Sequence, residues 1–347
     1  MKSPINLRAT QFAMAILCLS GCTLSWAQDE TALALELFVS APTEINVTSV
    51  LISGPSEMMV VCAQGTRSSA NRLADRIEET GRELKYIFLT HAHFDHHQGA
   101  AILKQRFPDA RFIASPEVGR LQRVRAPYDD QFAAQNLGDN AAVPSIPVED
   151  YADGTITIDG ETVEIWKGIV GDVGFGYPDE PHVALFIPSL NTLLPSDAVY
   201  FDAHVFMGGS STESRALWVK QLESWLERGF DRVIPGHMPE SSLPELGPDD
   251  ALEHTRDYIL AYDKAVAEAP SSDALIAAML EAYPDLKHRQ GLYLSAFFDF
   301  YEFRSITYDS NGVPVAGPGP KSAEEAQAQR DQYDALRKAY NPEPATR

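Results

Sequence analysis

The chain has 347 residues, 44% of them hydrophobic, enough to bury a large core in one or two domains. Its 49 acidic and 28 basic residues leave a formal charge of −21. That balance, with no long Lys/Arg cluster, argues against a nucleic-acid partner and disfavours polyanionic substrates, both of which need basic surfaces.

Residues 1–27 read as a signal peptide. A short basic start, with Lys2 and Arg8, precedes an apolar stretch over 12–22 that is too short to span a bilayer. Two endings are open. Leu19-Ser20-Gly21-Cys22 has the form of a lipobox, which would make Cys22 a lipid anchor, and Ser25-Trp26-Ala27 has the small-x-small form of ordinary cleavage. Either one exports the protein, to a bacterial periplasm or to an envelope membrane. The thiol that then remains, Cys62, has no partner for a disulfide, and its apolar neighbours make it a small buried hydrophobe. Further along, 41–56 predicts a first hairpin, 71–77 an amphipathic helix through Leu73, Ala74 and Ile77, and 86–90 a buried strand.

Directly after that strand comes His91-Ala-His93-Phe-Asp95-His96-His97-Gln-Gly99. A strand alternates its side chains, so His91 and His93 leave it on one side, while Asp95 and His96 fall in the turn that follows. Imidazole and carboxylate are ligands that zinc takes at about 2.0–2.2 Å, and a cluster of this size can hold two ions. Four such residues in H-x-H-x-D-H order are a specific signal. Asp95, beside the ligands, is also the candidate catalytic group.

This motif resembles that of the metallo-β-lactamase superfamily. The resemblance implies an α/β fold, a four-layer αβ/βα sandwich with its metals at one edge, over residues 28–249. It also implies further ligands downstream. A bridging Asp follows a strand ending in Ser-Asp, which Thr192-Leu-Leu-Pro-Ser-Asp197 matches, and a last His follows a buried strand, which Val233-Ile-Pro-Gly-His237 matches. Asp95, His96, Asp197 and His237 then make one metal site, and His91 and His93 supply part of the other. The remaining His of the pattern is absent from its usual place near Tyr177, Pro178 and Asp179. Asp172, Asp179 and His182 each stand close enough to close the first site, with His182 the candidate ligand and Tyr177 a candidate substrate contact. Ala63 also stands where many members carry an Asp.

Past the motif, 99–107 predicts a helix and 111–114 a strand. Residues 125–149 show no clean period and match the place where this fold inserts loops over the site. Residues 155–158 and 162–166 predict a hairpin, 183–187, 192–194 and 232–234 strands, and 214–226 a helix with core-facing aromatics. His204 would lie at the site mouth as a candidate substrate contact, and His97 behind the ligands. Residues 250–347 read as a helical extension: helices over 249–269 and 273–282, an aromatic-rich run over 291–301, a linker over 312–321 and a last charged helix over 323–339. His254 and His288 fall there as surface residues, and the apolar run over 292–301 needs a partner surface: the extension packs on the sandwich, or else caps the site or makes a homodimer face.

Asp197 at the bridging position sets the chain apart from the β-lactamase subclass with a bridging Cys, and it looks most like the lactonase and glyoxalase-II-like hydrolases. The resemblance implies a zinc hydrolase, with two ions expected, acting through a metal-activated water on a small-molecule ester, lactone or amide. The alternatives are a periplasmic β-lactam hydrolase and a metal-stabilised, non-enzymatic envelope protein whose first site is incomplete.

Overall fold

The computed structural model describes residues 33–173, 180–300, 306–308 and 314–316. The signal-peptide reading, Tyr177, Pro178, Asp179 and the last charged helix lie outside the described residues. Among the described residues no helix is long and apolar enough to cross a membrane.

The first half opens on three antiparallel strands, β1 (Ala34–Val39), β2 (Thr48–Ser53) and β3 (Glu57–Val61). The expected hairpin therefore begins earlier than the alternation after residue 41 suggested. Helix α1 (Arg67–Glu79) crosses to β4 (Glu83–Leu89), which pairs in parallel with β3. Thr66 caps α1 by accepting the Ser69 amide at 3.1 Å. The motif forms one short helical turn, α2 (Phe94–His97), then α3 (Ala100–Arg106), and β5 (Arg111–Ala114) adds to the sheet beside β4.

The stretch expected to be aperiodic loop is half helix. Helix α4 (Pro116–Leu137) carries Pro127 inside it and leads to the short edge strand β6 (Glu149–Asp150). Its period was hidden because much of its buried face is polar: Gln122, Arg125 and Asp129 all point inward. Apolar periodicity cannot reveal a helix whose inner face is charged.

The second sheet runs β11-β10-β9-β8-β7 in space. It is built from β7 (Thr155–Ile158), β8 (Glu161–Ile169), β9 (His182–Ile187), β10 (Thr192–Tyr200), and, after helix α5 (Thr212–Arg228), β11 (Arg232–His237). Every residue of β9 is buried because both faces are covered. Val183, Leu185 and Ile187 face the core shared with the first sheet, while Ala184 and Phe186 join the core on the other side. With α1 and α3 packed into the first core and α5 into the second, the expected four-layer αβ/βα sandwich results.

The C-terminal helices α6 (Asp250–Glu268), α7 (Ser272–Ala282) and α8 (Arg289–Phe300) follow. Leu252, Tyr258, Tyr262, Leu275 and Leu292 share one apolar core with Val199, Tyr200 and Trp218 of the sandwich. Residue 250 thus marks the start of a helix and no break in the packing. Part of the expected linker over 312–321 is strand, since β12 (Ile306–Tyr308) pairs antiparallel with β13 (Pro314–Ala316).

Candidate metal centre

The site gathers at the ends of β4, β10 and β11, where parallel strands deliver consecutive segments to one edge. The loop after β3 holds the motif by backbone alone: the Ala63 amide donates to the His96 carbonyl at 2.7 Å, and the Gly99 amide to that of Gln64 at 2.8 Å. Gly99 has no room for a side chain, because a Cβ there would run into the Ala63 carbonyl. Ala63 thus contributes to the site through its main chain.

Asp197 is aimed by a break in β10. Ser196 has a left-handed φ of 49°, and the register with β11 shifts on both sides of it. Such bulges re-aim a side chain, and they collect beside functional sites. The Ser196 hydroxyl accepts from Thr90 at 2.9 Å, and the Thr90 hydroxyl lies 3.1 Å from His91 Nδ1. His91 therefore turns Nε2 toward Asp197 Oδ2, 3.3 Å away.

Two four-residue sets converge, and Asp197 belongs to both. Asp95, His96, Asp197 and His237 form one, and His91, His93, Asp172 and Asp197 form the other. In the former, Asp197 Oδ2 lies 3.1 Å from the Nε2 atoms of both His96 and His237, and Asp95 Oδ2 lies 3.5 and 3.4 Å from the same two atoms. The two imidazole nitrogens are themselves 3.4 Å apart. In the latter, His93 Nδ1 faces Asp172 Oδ2 at 3.5 Å. Ligands at about 2.0–2.2 Å from a tetrahedral ion stand about 3.3–3.6 Å apart, and these spacings lie within or slightly below that range, close to what a divalent metal needs. His91 Nε2 and Asp172 Oδ1, both buried, make no hydrogen bond, as donor atoms awaiting a cation would. The residues are able to bind metal.

The electrostatics point the same way. Burial disfavours a charged His93, yet the Glu180 and Asp172 carboxylates hold its pKa up at about 9. Burial likewise opposes charge on His237, and Asp197 with Asp95 raises it to about 10. Burial itself, reinforced by Asp197 and Glu180, pushes Asp172 up to about 8. Protons thus stand where a cation would, and metal binding must displace them.

His182 belongs to neither set. Its Nε2 pairs with the Asp172 carbonyl at 2.7 Å, and its ring stacks on His91 at 4.5 Å. The chain leaving β8 turns inward over 170–173, which brings Asp172 beside His91, His93 and Asp197, and His182 braces it. Tyr200, not singled out from the sequence, donates its hydroxyl to Asp172 Oδ2 at 2.9 Å and stacks on His237. His237 Nδ1 is held 2.9 Å from the Ile45 carbonyl.

His204 does not reach the mouth. It is buried with Nδ1 3.1 Å from the Tyr258 hydroxyl, because the chain after β10 runs beneath α6. His254 is likewise committed, to the Ala203 carbonyl at 2.9 Å. His288 is no surface residue: it packs on His237, ring centroids 5.0 Å apart, and lines the cavity over the site. His97 lies behind the ligands, 3.3 Å from Asp129.

That cavity has a volume of about 350 Å³, within the range of small-molecule sites. Asp95, Asp172, Asp197, His93 and His237 line it, together with apolar groups from Ile45, Phe132, Leu137, Phe206 and Leu294.

A family model described as the metallo-beta-lactamase superfamily matches residues 64–237, half of the chain. A metallo-beta-lactamase family protein from Thermus thermophilus is similar in structure, with a TM-score of 0.53 and 19% identity over 77% of this chain and 91% of that one. A beta-lactamase domain protein from Burkholderia ambifaria gives a TM-score of 0.52 and 16% identity, over 81% and 91%. At these identities the likeness is one of fold. No curated protein matches the chain.

Proposed function

This chain belongs to the metallo-β-lactamase superfamily, whose members are mostly hydrolases, and from that premise we propose that it is an exported, zinc-dependent hydrolase of a small ester, lactone or amide. The observation that carries the reading is the pair of ligand sets sharing Asp197 on the lining of a cavity of about 350 Å³. One zinc in each set is the proposed complement. When bound, such ions polarise a carbonyl and lower the pKa of a water toward neutrality.

The chain's own groups do the rest. Asp95 turns Oδ2 toward His96 and His237, and its other oxygen is the base assigned to orient the water and take its proton. Tyr200 steadies Asp172 through its hydroxyl, and the apolar wall from α4, α8 and Phe206 excludes water and receives the apolar part of a substrate. The arginine on the described lining, Arg125, is already engaged by Glu180 and Asp129, which favours a neutral substrate over an anionic one. Export rests on the basic and apolar start of the sequence.

The non-enzymatic alternative depends on an incomplete first site, and the grouping of Asp172 with His91, His93 and Asp197 speaks against it. The test is metal content per chain by elemental mass spectrometry, followed by a panel of nitrophenyl esters, lactones and a chromogenic cephalosporin. Two zinc ions with ester or lactone turnover are expected. Absence of bound metal, or of turnover across the panel, would overturn the reading, and turnover of the cephalosporin alone would move it to the β-lactam alternative.

A further inference from the structure

His93 is gripped from behind by buried charge. While Nδ1 faces Asp172, Nε2 lies 3.2 Å from Glu180 Oε2. Arg125 Nη1 reaches the same carboxylate, 3.3 Å from Oε1 and 3.4 Å from Oε2. Arg125 Nη2 lies 3.4 Å from Asp129 Oδ1, one turn along α4, and Asp129 Oδ2 lies 3.3 Å from His97 Nε2. The side chains of Glu180, Arg125 and Asp129 are 0%, 3% and 6% exposed.

Stability alone does not account for this arrangement. Desolvating three charges costs several kcal/mol per ion, and well-packed apolar residues commonly do as well. Geometry offers a better account. An imidazole that donates from Nε2 to a carboxylate keeps its proton there and presents the Nδ1 lone pair, with the ring fixed in plane. The chain of contacts ties α2, α4 and the approach to β9 to that single ring. The second ligand set has a different support, since His237 leans on the neutral Ile45 carbonyl.

We propose that Glu180, clamped by Arg125 and Asp129, is a positioning residue that fixes the tautomer and aim of His93 and thereby sets the affinity of the first ligand set for its ion. The proposal rests on the metal-dependent reading above. It makes that set's affinity depend on a carboxylate that touches neither the ion nor the substrate.

The test is cobalt(II) titration followed by visible absorption, in two backgrounds that separate the sets. His96→Ala/His237→Ala leaves the first set, and His91→Ala leaves the second. Glu180→Gln is expected to weaken cobalt binding by about 10–100-fold in the former background and to leave the latter unchanged. Equal weakening in both, or none in either, would overturn the proposal. Should Glu180→Gln fail to fold by circular dichroism, the double variant Glu180→Gln/Arg125→Gln removes the pair together and must show the same selectivity. An unsubstituted protein that binds no cobalt sinks the metal reading itself, whereas two sites that ignore Glu180 sink this proposal alone.

Discussion

The two ligand sets are alike in donors, each with two imidazoles and two carboxylates, yet they are built differently. The set containing His237 rests on main chain: Ala63 and Gln64 hold the motif, the Ile45 carbonyl holds His237, and Gly236 leaves room for Asp197. The set containing His93 rests on side-chain charge, through Glu180, Arg125 and Asp129. Backbone support does not depend on the charge of neighbouring side chains, though it leaves no room for a side chain at Gly99 or Gly236. Charged support can be undone by a single neutralising change.

The largest effect should come from the residue the sets share. Asp197→Ala removes a ligand from both, so the metal content should fall toward none and turnover on an ester substrate by about 10³-fold or more. Elemental analysis and steady-state kinetics check this. Retention of both ions would break the picture of a shared ligand.

Single-set variants sharpen the contrast. His237→Ala and His91→Ala should each leave one ion bound, and loss of both ions in either would mean the sets are not separable. Asp172→Asn should cost the first ion more than the about 10–100-fold typical of an outer partner. His182→Ala should cost it less, because His182 braces the Asp172 backbone and stacks on His91 without belonging to either set. The order of these two affinities, read by cobalt titration, decides between Asp172 and His182 as the closing ligand. Because His93 and His237 are held protonated up to about 9 and 10 without metal, ion affinity should climb as pH rises through 7 to 9.

Smaller effects test the scaffold. A Cβ at Gly236 would meet the Asp197 carboxylate and the Ser196 backbone, so Gly236→Ala should cost about 1–3 kcal/mol as overpacking, read from the thermal midpoint. At the cavity edge, burial disfavours a charged Glu44, but the Ser68 and Thr66 hydroxyls and Arg72 outweigh it and bring its pKa down to about 2. A depressed carboxylate contributes stability above its unfolded value, 4.5, and that contribution is lost as pH falls toward 2. Glu44→Gln should flatten the acid limb of the melting curve over that window. An unchanged slope would show that Glu44 is not a source of acid sensitivity.

The sequence by itself determined the fold class and one whole candidate ligand set. H-x-H-x-D-H is local, and the strands leading to Asp197 and His237 are short apolar runs followed at once by their ligands, so chain order alone places them. Helices with apolar faces, such as α1 and α5, were legible for the same reason. Tertiary structure decided the rest. Asp172 lies on a segment with no periodic signal, and the inward turn after β8 brings it into the candidate set, while His182 becomes its brace. Helix α4 was hidden because its inner face carries Arg125 and Asp129, whose partners Glu180 and His97 are distant in sequence. His204 lies in the core and not at the expected mouth, and His288 in the cavity and not on the expected surface, because the path after β10, and the packing of α8 against it, depend on contacts that no local pattern encodes.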